Sequence, residues 1–90
     1  MTREELAAAS DQLESAAEDT DSDDASERLA DLAGQLDSLA TAETGPDHGR
    51  LARIQSALND LESGDGSDVA AAIDEADDHI NEYRSDLEGV

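Results

Sequence analysis

Aliphatic residues recur at alternating steps of three and four along most of this chain, and that spacing leaves few folds open besides a packing of α-helices. Leu6, Ala9, Leu13 and Ala16 form the first stripe, and Ala25, Leu29, Leu32, Leu36 and Leu39 the second. Leu51, Ile54, Leu58 and Leu61, with Ala57 beside them, form the third; Val69, Ile73, Ala76, Ile80, Tyr83 and Leu87 form the fourth. A residue every 3.6 positions returns to the same helix face, so each stripe predicts one amphipathic helix with one buried side. The predicted helices span about 3–18, 23–42, 47–63 and 68–87.

Local signals punctuate the stripes. Thr2 with Glu5 three residues on has the form of a capping box, in which side chain and backbone N–H pair reciprocally. The run EDTDSDD, 18–24, holds no apolar residue and ends in the plausible caps Ser22 and Asp23. In TGPDHGRL, 44–51, Gly45 suits a helix end, Pro46 a first helical turn, and Thr44 or Asp47 a cap. Gly64 reads as the end of the third helix and Ser67 as the cap of the fourth. Gly34 falls on the outer face of the second helix, where glycine costs about 1 kcal/mol relative to alanine. Short links make successive helices antiparallel, so the expectation is an all-α, up-down four-helix bundle forming a single domain, 1–90. Two helical hairpins that pair between chains, giving a dimer, are the alternative, because so small a core gains from association.

Charge narrows the setting. Twenty-five Asp and Glu face five Arg and no Lys, for a net charge of −20, and Asp outnumbers Glu by 15 to 10. In dilute buffer such a chain repels itself. At molar salt the Debye length is about 3 Å and most of the repulsion is screened. The composition therefore reads as made for concentrated salt, with weakly held cations such as potassium around it. Direct nucleic-acid binding is excluded by the scatter of Arg3, Arg28, Arg50, Arg53 and Arg84, since phosphate neutralisation needs basic clusters. A rod of this charge could instead mimic nucleic acid and occupy a basic protein. No run of 18 apolar residues and no leader pattern occurs, so neither a membrane span nor export is expected, and the cytoplasm is the expected location.

Chemistry is sparse. Without cysteine there is no thiolate, disulfide or cysteine metal site. No Gly-x-Ser-x-Gly, P-loop or Gly-x-Gly-x-x-Gly pattern occurs, and no catalytic residue or cofactor is expected. DTDSDD lacks the glycine and distal glutamate of an EF-hand loop. The candidate metal ligands are Glu75, Asp78 and His79 on the fourth helix, with His48 from TGPDHGRL. Glu75 and His79 stand four apart on one face, but a bundle di-metal site needs such pairs on two helices plus two inward glutamates. Arg50 and Arg53, three apart, could reach one anionic partner. The expectation is a non-enzymatic interaction or self-association module with a protein partner or a second copy; a small metal- or ligand-binding bundle and the acidic mimic are the alternatives.

Three segments, MTREELAAASDQLESAAE, LATAETGPDHGRLARIQSAL and HINEYRSDLEGV, together resemble a group of short uncharacterised proteins from halophilic archaea. The resemblance implies an all-helical fold, a salt-filled cytoplasm and no known activity. No functional residue carries over from it.

Overall fold

The computed structural model describes residues 3–41 and 48–88, with side chains for 3–41 and 49–86. Four α-helices follow one another: α1 Glu4–Asp19, α2 Asp23–Thr41, α3 His48–Ser63 and α4 Ala70–Glu88, the last preceded by a 3-10 turn at Ser67–Val69. No strand occurs among the described residues. The result is the expected all-α four-helix bundle, 39 × 20 × 17 Å in extent.

The stripes are the core. Leu6, Leu13, Leu29, Leu36, Leu51, Leu58, Ile73 and Ile80 are all buried almost without remainder. Burying each such side chain is worth about 1.5–3 kcal/mol. Tyr83 and Ala57 are half-buried at the margin, and the Leu87 side chain lies outside the described residues. Ala33 and Ala40 join the core although the α2 stripe omits them. Their small side chains suit the close packing of α2 on α1, and there the Ser10 hydroxyl donates to the Ala33 carbonyl at 2.8 Å. α1 packs against both α2 and α4, and α3 packs against α4. Among the described residues, α2 and α3 adjoin each other more loosely than any of those pairs.

Two helix starts differ from expectation. Arg3, not Thr2, caps α1, with no side-chain hydrogen bond at the cap; Thr2 itself lies outside the described residues. The Arg3 N–H donates to the Ala40 carbonyl at 2.9 Å, so the entry to α1 is set by α2 rather than by a local box. Ser67 opens the 3-10 turn instead of capping an α-helix, and α4 begins two residues later than predicted. The turn that precedes it is tight at Gly66. Its N–H donates to the Leu61 carbonyl at 2.8 Å, and a Cβ there would stand 3.0 Å from that oxygen and 3.3 Å from Ile73 Cδ1. The start of α2 is as expected, the Ser22 hydroxyl accepting the Ala25 N–H at 3.2 Å. The link assignments at Thr44, Gly45, Pro46 and Asp47 lie outside the described residues.

Candidate functional site

Two places bring together side chains with chemistry to offer. The first begins with the entry to α1. Arg3 donates through Nε to the Tyr83 hydroxyl and through Nη1 to the Leu39 carbonyl, both at 3.0 Å. That ties the first turn of α1 to α2 and α4, and it sets Glu5 beside α4. His79 Nδ1 and Glu5 Oε2 lie 3.2 Å apart, each side chain about one-third exposed at 34% and 36%. Glu82, one turn beyond His79, completes a group of three whose donor atoms lie within 4.8 Å of one another. The hydrogen bond to His79 holds the Glu5 carboxyl below its ordinary value, with a further contribution from Glu82. Glu82 is raised, because it shares a hydrogen bond with Glu5 and faces its charge. One imidazole and two carboxylates form a donor set that suits a divalent transition ion such as zinc.

The candidate ligands of the sequence divide. His79 belongs to this group, whereas Glu75 and Asp78 are exposed on α4 and stand outside it. His48 is the first residue of α3, and its side chain lies outside the described residues. The remaining carboxylate, Glu5, comes from α1. His79 and Glu82 are three apart, a spacing legible in the sequence. Glu5 is 74 positions away and only the packing of α1 on α4 finds it.

The second place is the seam between α2 and α3. A cleft of about 370 Å³ lies there, with Arg28 and Asp31 on its α2 side and Arg50 and Arg53 on its α3 side. Leu32 and Ile54, 6% and 2% exposed, line it from the core. Asp31 accepts a hydrogen bond from Gln35 Nε2 at 3.1 Å. Gln55 points away to α4, donating to Asp77 and Asn81 at 2.8 Å each and accepting from Arg84 Nη1 at 2.6 Å. This polar clasp holds α3 on α4.

A third cluster is structural. Thr20 donates its hydroxyl to Asp68, 2.9 Å from Oδ1, and the Asp21 N–H donates to Asp68 Oδ2 at 2.8 Å. These bonds, the Asp21 N–H first, lower the Asp68 pKa and fasten the α1–α2 link to the start of α4.

The class defined by this architecture is a small up-down helical bundle with no helix among the described residues long and apolar enough to cross a membrane. The chain belongs to a family of unknown function, DUF7553, whose family model matches residues 1–86. No curated protein and no solved structure matches it.

Proposed function

We propose that the protein works by binding rather than by turnover, as a helical interaction module suited to concentrated salt, with the α2–α3 seam as its docking surface for a protein partner or a second copy. The observation that carries this reading is the seam itself. Consecutive helices of an up-down bundle ordinarily pack side by side, yet here α2 and α3 frame an open cleft. The excess of Asp over Glu, the absence of Lys and the resemblance to halophilic archaeal proteins support the salt adaptation and, with it, a cytoplasmic setting.

Its test places a photo-crosslinking residue at Gln35 in the seam and, separately, at exposed Ser15 on α1, in the full chain at about 1 M KCl, where screening is nearly complete. Adducts with one protein, or with a second copy, from Gln35 and not from Ser15 are the expected result. Equal yields from both positions, or turnover of a substrate that depends on His48 or His79, refute it.

A second reading, a metal-binding bundle, is favoured by the Glu5, His79 and Glu82 group. It predicts stoichiometric zinc uptake that His79→Ala abolishes. Uptake unchanged in that variant removes it.

A further inference from the structure

The five arginines fall into two sets. Arg3 and Arg84 are built into the fold, the first bonded to Tyr83 and Leu39, the second to Gln55. Arg28, Arg50 and Arg53 instead border one cleft from two helices. With five arginines and no lysine in a chain of −20, no other part of the described surface can gather three such cations. Arg28 and Arg53 are exposed, and neither side chain makes a hydrogen bond or ion pair among the described residues.

Resting on the seam as the working surface, we infer that it binds a compact polyanion of the oligophosphate class, one phosphate held by Arg50 and Arg53 and the next by Arg28, so that this ligand and a docked protein compete for the same cleft. Guanidinium groups present paired N–H donors that match phosphate oxygens. Arg50 and Arg53, three apart on α3, are neighbours on one helix face and can serve one phosphate together. Arg28 reaches the cleft from α2, so a ligand that engages all three needs a second anionic group. The space suits it. About 370 Å³ corresponds to roughly a dozen waters, more than a single phosphate fills.

Charge and size favour a small ligand over an acidic protein. Asp31 is the one acid among the residues that line the cleft, against three arginines. In dilute buffer the remaining acids oppose any anion. At molar salt the screening length is about 3 Å, so only groups in direct contact count. An oligophosphate brings all its charge into contact with the cleft. An acidic protein surface leaves most of its charge outside.

The test titrates inorganic pyrophosphate into the full chain at about 1 M KCl, followed by calorimetry and by the arginine Nε–H resonances. Saturable one-to-one binding that moves Arg28, Arg50 and Arg53 but not Arg3 is expected. Arg28→Gln and Arg53→Gln should each weaken it about tenfold, the loss of one charge-assisted pairing. Ser15→Asp, which changes net charge by the same amount on α1, should leave it unchanged. All three sites are exposed, so the fold survives and circular dichroism checks it. Absence of saturation, insensitivity to Arg28→Gln, or equal weakening by Ser15→Asp overturns the inference. Crosslinks from Gln35 without pyrophosphate binding would defeat this inference alone, and pyrophosphate binding without crosslinks would defeat the protein-docking reading alone.

Discussion

Glycine to alanine should have opposite effects at two positions of this bundle. Gly34 lies within α2, is exposed, and has no atom within 4 Å of where a Cβ would stand. Alanine there gains helix propensity and meets nothing, so Gly34→Ala should stabilise by about 1 kcal/mol. Gly66 has φ −95 and ψ 15, a conformation open to alanine, so backbone strain is not at issue. The obstacle is contact. A Cβ would stand 3.0 Å from the Leu61 oxygen, and that oxygen is fixed by the 2.8 Å bond it accepts from Gly66 itself. Retreat on one side breaks the bond; on the other it presses Ile73 Cδ1, 3.3 Å away on a side chain that is 1% exposed. Overpacking of this kind costs about 1–3 kcal/mol. For a domain of this size each kcal/mol moves the melting temperature by about 4–8 °C. Thermal unfolding followed at 222 nm in molar KCl should therefore show Gly34→Ala above the parent and Gly66→Ala below it. A rise at both positions would refute the packing argument at the α3–α4 turn. A fall at Gly34 would mean that its outer face is covered by another chain.

Three further outcomes are expected. Asp68 has a lowered pKa, so its contribution is present above the ordinary value of 3.8 and is lost as pH falls through the lowered one; Asp68→Asn should reduce the urea midpoint at about pH 6, with the gap closing in strong acid, and a gap independent of pH would count against it. Glu62 is raised, first by a hydrogen bond shared with Asp74 and then by burial and by the charges of Asp74 and Asp77. Its stabilising contribution is present below 4.5 and lost as pH rises through the raised value, so Glu62→Gln should raise the midpoint at neutral pH and change it little in acid; no neutral gain would show that these acids do not oppose one another. Finally, helicity and cooperativity of unfolding should both increase from dilute to molar KCl as screening grows, and full cooperative folding in dilute buffer contradicts the salt-adapted reading.

What the sequence determined by itself is local and periodic. A 3.6-residue repeat read along one helix identifies the buried face without knowledge of the neighbour, which is why Leu6 to Ala16 on α1 and Ile73 to Ile80 on α4 were legible as core. The Ser22 cap was legible for the same reason, since its hydroxyl meets an N–H only three residues on. Tertiary structure decided whatever depends on a partner distant in the chain. Arg3 replaces Thr2 at the head of α1 because Ala40, Leu39 and Tyr83 supply its partners. The late start of α4 accompanies the tight turn in which the Gly66 N–H donates back to the Leu61 carbonyl. His79 meets Glu5 rather than Glu75 or Asp78 because α1 lies against α4. Arg28 joins Arg50 and Arg53 because the seam between α2 and α3 stays open. Spacing along a helix tells which side chains share a face, but which faces meet is decided only when all four stripes are buried together.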